Sequence, residues 1–69
     1  MKKYRELVEL KGILRQKKIN YDTLAKYLKM SISALSNKIN GKSVFDILEV
    51  EKIIQFVGIE KKDVSEYFF

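Results

Sequence analysis

The 69-residue sequence predicts an all-α fold, a compact single domain of five short helices. Apolar residues recur three and four positions apart along most of the chain, which is the spacing that gives a helix one buried face. Capping-type residues stand at the starts of these segments, and two of the three glycines follow their ends. The sequence has no proline and no stretch with the alternation of a strand. The connections between helices are therefore expected to be short turns.

The first helix is predicted over residues 5–17. Its inward face carries three leucines, Leu7, Leu10 and Leu14. Gly12 lies within this pattern, so we expect it either to weaken the helix locally or to let a neighbouring element pack closely. The last turn is basic, with Arg15, Lys17 and Lys18. Cations are favoured at a helix C-terminus, so a solvated helix end is the simpler interpretation of this cluster and phosphate binding is the alternative.

The second and third helices, predicted over residues 21–28 and 32–40, are separated by only three residues. Both starts show a hydrophobic staple, in which an apolar residue before the cap packs against one four positions after it. The two staples are Ile19 and Asn20 with Leu24, and Met30 and Ser31 with Leu35. A three-residue turn brings two short helices together at a steep angle, and the small Ala25 side chain lets them approach closely. This spacing predicts a helix-turn-helix.

The fourth and fifth helices are predicted over residues 47–57 and 61–67. Their starts carry a third staple of Phe45, Asp46 and Val50, and a weaker one of Ile59, Glu60 and Val64. Glu49 stands where it completes a capping box with Asp46. Gly41 and Gly58 follow the third and fourth helices, where a positive φ is expected because glycine has no Cβ to clash.

The predicted core draws on the first four helices and on part of the aromatic chain end. Its members are Leu7, Leu10, Leu14, Leu24, Ala25, Leu28, Leu35, Ile39, Leu48, Val50, Ile53, Ile54 and Val57. A core of this size rarely supplies more than about 3–5 kcal/mol of net stability, so dimerisation would help. The chain ends on Tyr67, Phe68 and Phe69, which either fold back to close the core or form dimer contacts with a second subunit.

Composition excludes several classes of function. The sequence contains neither cysteine nor histidine, so disulfides, thiolate zinc sites and the usual proton shuttle are absent. We therefore expect no metal, no cofactor, no small-molecule ligand and no enzymatic activity. The N-terminus has no uninterrupted apolar region of the kind found in signal peptides, and no segment is apolar enough to span a membrane. A cytoplasmic protein without membrane contact is the expectation.

Charge is distributed unevenly along the chain. Residues 1–42 contain eleven basic and three acidic side chains, whereas residues 43–69 contain three basic and six acidic ones. A chain polarised in this way attracts a polyanion such as nucleic acid. A solvated lysine-rich surface is the alternative interpretation of the same charges.

The outer side of the third predicted helix is polar and nearly uncharged. It presents Ser33, Asn37 and Asn40, with Ser36 at its flank and Ile32 in the first turn. Short amides and hydroxyls suit base edges in the major groove, and an isoleucine can meet a thymine methyl. For Ser33 and Asn37 the pattern favours base reading. For Ser36 and Asn40 a solvated surface remains equally acceptable, and simple boundary packing remains an alternative for Ile32.

Basic residues on either side of this helix predict phosphate contacts. Lys29, Lys38 and Lys42 flank the motif, with Ser43 and the amides at helix starts as neutral donors. Phosphate contacts of this kind position a protein on DNA, whereas base contacts specify the sequence.

Residues 21–41 resemble the helix-turn-helix of phage Cro and repressor proteins, the XRE-like regulators, and residues 45–59 are similar to the last two helices of that fold. The resemblance implies a lambda-repressor-like domain whose second motif helix lies in the major groove, with Ile32, Ser33, Ser36 and Asn37 facing the bases. Tyr21 stands where the family often has a phosphate-binding glutamine, and we expect Asn40 to bind a phosphate as well. Lys29 stands at a turn position where glycine is often found.

The sequence therefore predicts a small transcriptional regulator, in the first place a repressor, that binds a palindromic double-stranded DNA operator as a homodimer. The competing hypothesis is a protein-binding module on a Cro-like fold, such as an antirepressor, an antitoxin-like protein or a polymerase-contacting factor. That alternative predicts an exposed apolar stripe on helix 32–40 in place of serine and asparagine.

Overall fold

The computed structural model describes residues 4–68, and over this range the chain is all-helical without a strand. The helices are α1 (Val8–Gln16), α2 (Tyr21–Leu28), α3 (Ile32–Ile39), α4 (Ile47–Val57) and α5 (Val64–Phe68), and a 3-10 turn (Lys61–Asp63) leads into α5. The prediction of five helices is confirmed. The described part of the chain measures 30 × 23 × 22 Å, and no helix in it has the length and apolarity needed to cross a bilayer.

Side-chain caps begin the three central helices. The Asn20 carboxamide oxygen accepts a hydrogen bond from the amide of Thr23 at 2.8 Å, and the Ser31 hydroxyl accepts one from the amide of Ala34 at 3.0 Å. At α4, Asp46 accepts from the Glu49 amide while the Glu49 carboxylate accepts from the Asp46 amide. Each cap satisfies an amide that has no partner within its own helix. The predicted N-caps of α2, α3 and α4 are therefore confirmed.

Four helices end in a left-handed residue, namely Lys18 (φ 59°) after α1, Lys29 (φ 59°) after α2, Gly41 (φ 87°) after α3 and Gly58 (φ 88°) after α4. In each case the amide of the next residue donates to a carbonyl five positions earlier: Ile19 to Leu14, Met30 to Ala25, Lys42 to Asn37 and Ile59 to Ile54, at 2.8–3.1 Å. These six-residue loops are Schellman endings. Glycine predicted the endings of α3 and α4, whereas Lys18 carries no sequence signal of this kind.

The N-terminal segment lies along the end of α3, so α1 begins at Val8 and not at residue 5. The Tyr4 amide donates to the Gly41 carbonyl at 2.8 Å, and the Leu7 amide donates to the Ile39 carbonyl at 2.9 Å. Leu7 has non-helical backbone angles (φ −89°, ψ 74°), so a helical turn cannot extend back through it. Gly41 has the predicted positive φ (87°), and a Cβ on it would overlap the Tyr4 carbonyl oxygen.

Within residues 4–68, the core contains fourteen buried apolar side chains and draws on every helix. Its members are Leu7, Leu10, Leu14, Leu24, Ala25, Leu28, Leu35, Ile39, Phe45, Val50, Ile53, Val57, Ile59 and Phe68. The prediction was wrong for Leu48, which is 64% exposed, and Ile54 is only partly buried. Leu48 is exposed because α4 buries the face defined by Val50, Ile53 and Val57, and a residue two positions before Val50 lies on the other side.

The aromatic chain end closes the core through one ring. Phe68 is buried with its ring edge-on to Phe45, the two centroids being 5.9 Å apart. Tyr67 is half-buried against the core. Phe69, named above as a possible dimer contact, lies outside the described residues. Of the two roles considered for the aromatic chain end, closing the core and forming dimer contacts, Phe68 therefore has the first.

Candidate nucleic-acid interface

The outward face of α3 is polar and rests on a rigid base. Leu35 and Ile39 are fully buried beneath it, whereas Ser33 and Asn37 are exposed. Ile32, in the first turn, has 49% of its surface exposed. Because the backbone under these side chains is fixed by core packing, their positions relative to the rest of the domain are also fixed.

The polar residues of α3 fall into two groups by hydrogen bonding. The Asn40 amide nitrogen donates to the Ser36 hydroxyl oxygen at 3.1 Å, and both residues are half-buried. Neither the Ser33 hydroxyl nor the Asn37 carboxamide hydrogen-bonds any group within residues 4–68. Ser33 and Asn37 therefore present their full hydrogen-bonding capacity to solvent.

The loop after α3 is tied to the helix through the main chain of Asn37. The Asn37 carbonyl oxygen accepts hydrogen bonds from the amides of Lys42 at 2.8 Å and Ser43 at 3.4 Å. Lys42 is exposed and Ser43 is half-buried. Lys29 is exposed at the turn that precedes α3. The structure thus places one exposed lysine at each end of the helix.

Lys38 has a different environment from the other two lysines predicted to bind phosphate. Its ammonium lies 2.6 Å from the Glu49 carboxylate, with only 20% and 19% of the two side chains exposed, and 5.8 Å from the Phe45 ring centroid. The same Glu49 oxygen completes the capping box of α4. Lys38 therefore links α3 to α4, and its charge is already compensated. Sequence reasoning missed this contact because the two residues are eleven positions apart.

Tyr21 is half-buried against the core at the start of α2. It lines an open depression together with Arg15 from α1 and Asn40 from the end of α3. The sequence predicts them separately, Tyr21 and Asn40 as phosphate ligands and Arg15 as part of a basic helix end. Their meeting at one depression could not be read from the sequence, because it depends on how α1 packs against α3.

A protein-family model matches residues 4–69, which is nearly the whole chain. The chain belongs to the DUF739 family. DUF739 is described as a family of proteins of unknown function, so membership by itself assigns no activity. No curated protein and no solved structure gives a significant match to the chain.

The basic end of α1 in this DUF739 protein is partly used within the fold. The Lys17 ammonium donates to the Val57 carbonyl at 2.8 Å, at the C-terminus of α4. A cation is favoured there because the last carbonyls of a helix lack partners. Lys18 forms the left-handed helix end, and Arg15 is exposed beside Tyr21. Of the three residues, Arg15 is the one placed near other candidate phosphate ligands.

The described residues of the DUF739 protein offer no cluster of acidic side chains suited to a metal ion, and none of their buried side chains is polar. Any chemistry at this surface would rest on exposed groups. The arrangement is suited to recognition by hydrogen bonds and charge on an open face.

Proposed function

We propose that this DUF739 protein is a sequence-specific double-stranded DNA-binding regulator of the Cro and repressor type, which acts as a homodimer on a palindromic operator. In this proposal α2 and α3 form the helix-turn-helix, and α3 enters the major groove. Ile32, Ser33 and Asn37 read base edges. The observation that carries the proposal is the outward face of α3, where unpaired Ser33 and Asn37 side chains stand on buried Leu35 and Ile39.

The flanking charges support the same function. Lys29 and Lys42 bracket α3 and are both exposed, so each can contact a phosphate beside the groove. Arg15, Tyr21 and Asn40 form a further candidate backbone contact at the depression between α1 and α3. Lys38 contributes less in this proposal, because Glu49 compensates its charge. The Ser36 hydroxyl already accepts a hydrogen bond from Asn40, so Ser36 contributes only through the hydrogen-bonding capacity that this bond leaves unused.

A protein-binding module is the second candidate, and one observation favours it. The loop before α4 and its first turn expose Val44, Ile47 and Leu48, and contiguous apolar surface marks sites of protein association. On α3 itself, however, Ile32 is the one large apolar side chain exposed within the described range. The apolar surface and the polar face of α3 are thus separate features, and the first does not replace the second.

Asn37→Ala tests base reading directly. We expect it to weaken binding to a selected operator by about 1–3 kcal/mol, because one bidentate contact to a base is lost, while affinity for unrelated DNA stays the same. The operator is first obtained by selection from random duplexes, and binding is then measured by fluorescence anisotropy. Gln55→Ala removes an equivalent exposed carboxamide from α4 and should leave the ratio of specific to non-specific affinity unchanged. Equal loss on all DNA sequences would contradict base reading by Asn37.

A further inference from the structure

An apolar groove of about 230 Å³ opens on a different flank of α3. Its walls come from the N-terminal segment, the loop before α4, α4 itself and the end of α5. Six of its lining side chains are apolar or aromatic, namely Tyr4, Leu7, Val44, Phe45, Val50 and Phe68. Arg5 also lines the groove and makes no ion pair within the described range. The groove therefore combines apolar walls with one uncompensated cation.

Two projecting apolar side chains stand in the first turn of α4, Ile47 on the groove side and Leu48 further round the helix. Ile47 is 76% and Leu48 is 64% exposed. Val44, which is 59% exposed, also lines the groove, so the projection and the groove are continuous. Isolated apolar side chains are common on monomer surfaces, but three large ones within five residues form a patch of the kind that marks an interface.

A negative charge lies within this patch, between Ile47 and Leu48 in a view down the axis of α4. Glu51 follows Ile47 by four residues and Leu48 by three, so the three side chains share one face of α4. Glu51 is exposed and has no ion-pair partner among residues 4–68. Ile47 precedes the groove-lining Val50 by three residues and lies between the groove and Glu51. The surface thus runs from a cationic groove to Ile47 and then to the carboxylate of Glu51, with Leu48 on its far side.

We propose that the groove is occupied by a second copy of this chain. In a two-fold pair, each copy inserts Ile47 and Leu48 into the groove of the other, and each Glu51 meets the partner's Arg5. A two-fold interface requires a surface that is complementary to itself. An apolar projection that carries a carboxylate, beside an apolar groove that carries a cation, meets that requirement. The inference rests on the homodimer of the proposed function and names the surface that forms it.

Pairing at the groove leaves the polar face of α3 accessible. Lys38 is the α3 residue at the groove, and it follows Ser33 by five positions, which is about 140° around the helix. The base-reading and pairing surfaces therefore lie on different flanks of α3. The two surfaces can be disrupted independently.

Leu48→Ser tests the interface in the full chain without DNA. Sedimentation equilibrium over a concentration series should show a monomer–dimer equilibrium for the parent protein. Because each dimer loses two buried leucines, the dissociation constant should rise at least about a hundredfold in the variant. Leu48 is exposed in the monomer, so circular dichroism of the dilute variant should match that of the parent. A parent chain that stays monomeric to ~1 mM, or association that survives Leu48→Ser, would overturn the proposal.

Charge reversal tests the pairing of Arg5 with Glu51. Arg5→Glu and Glu51→Arg should each weaken the dimer, because each places like charges opposite one another. The double variant restores opposite charges with their positions exchanged, and its dissociation constant should return to within a few-fold of the parent value. A double variant that associates as weakly as either single variant would overturn this pairing.

Ile32→Ser separates this inference from DNA binding. It removes an exposed apolar side chain of similar size from the base-reading face, and it should leave the dimer dissociation constant unchanged while weakening specific DNA binding. Leu48→Ser should do the reverse, with intact binding to a single half-site and a lost dimer. If neither variant changes the affinity for DNA while Leu48→Ser abolishes the dimer, the pairing surface is supported and the regulator proposal fails.

Discussion

Lys18 and Lys29 both adopt a left-handed backbone, at a φ of 59°, although each carries a Cβ. Each residue ends a helix whose following residue, Ile19 or Met30, packs against the core. The left-handed residue is what turns the chain so that this apolar side chain points inward. Packing of Ile19 and Met30 thus offsets the steric cost of the lysine backbone.

Glycine at either position should stabilise the protein. A left-handed non-glycine residue costs about 1–2 kcal/mol, and the extra freedom of glycine in the unfolded chain offsets about half of that, so Lys29→Gly and Lys18→Gly should each raise the unfolding free energy by about 0.5–1 kcal/mol. Urea denaturation measures this. Only Lys29→Gly should also weaken DNA binding, since it removes a charge next to α3. A similar affinity loss in both variants would argue against a specific phosphate contact by Lys29.

The residues of the α3 face show how far sequence reasoning reaches. Helical spacing was enough to place Ser33 and Asn37 outward and to expect Leu35 and Ile39 beneath them. It could not distinguish the free Asn37 side chain from Asn40, whose amide is bonded to Ser36, because that distinction depends on side-chain rotamers. The neutralised charge of Lys38 depends on how α3 meets α4 and was equally beyond the sequence.

At two helix junctions, the residue that closes the end of one helix also precedes the N-cap of the next helix. Ile19, Met30 and Ile59 each donate an amide to close a Schellman loop, and Ile19 and Met30 each precede the cap of the following helix. Fixed caps made the bounds of α2 and α4 predictable from sequence. The start of α1 was not, because residues 4–7 are held by bonds to Gly41 and Ile39 from another element.

Gly41 and Gly58 have nearly equal φ, but Gly41 also lies against the N-terminal segment. Substituting each glycine therefore tests the contact between that segment and the end of α3. Gly58→Ala should destabilise the fold by about 1–2 kcal/mol through backbone strain, since the nearest atom to its new Cβ is the flexible Lys17 ammonium at 3.5 Å. Gly41→Ala carries the same strain and also drives a Cβ into the Tyr4 carbonyl, which adds about 1–3 kcal/mol. The denaturation midpoints of the two variants measure this difference in stability. Equal losses would mean that Tyr4 and Gly41 are not in contact in solution.

Over the whole molecule, the charge available to a partner is smaller than the sequence suggests. Several basic groups of the N-terminal half are engaged within the chain, through contacts of Lys11 with Glu6, Lys17 with Val57, Lys26 with Asp22 and Lys38 with Glu49. The exposed basic side chains that remain in residues 4–42 are Arg5, Arg15, Lys18, Lys29 and Lys42. Net charge therefore predicts a polyanionic partner, whereas the fold determines which basic side chains remain available to bind one.

The size of the domain makes a second copy important for the proposed function. Half-sites on one face of DNA lie about 34–36 Å apart, one helical turn, whereas the described chain is 30 Å in its longest dimension and contains one candidate recognition helix. A single copy can read one half-site only. Two copies joined at Ile47 and Leu48 would each present an α3, and the number of phosphate contacts per complex would double.

The salt dependence of operator binding measures the number of phosphate contacts in the complex, and so tests whether a second copy doubles it. Each phosphate contact contributes about 0.9 to the slope of log K against log salt concentration, so Lys42→Ala should lower the slope by about 1.8 in a dimer on a full operator. In the monomeric Leu48→Ser background on a half-site, the same substitution should lower it by about 0.9. Lys61→Ala, an exposed lysine on the 3-10 turn, should change neither slope. An identical decrement in both backgrounds would show that the operator-bound species contains a single copy, because only a second Lys42 can double the number of ions released.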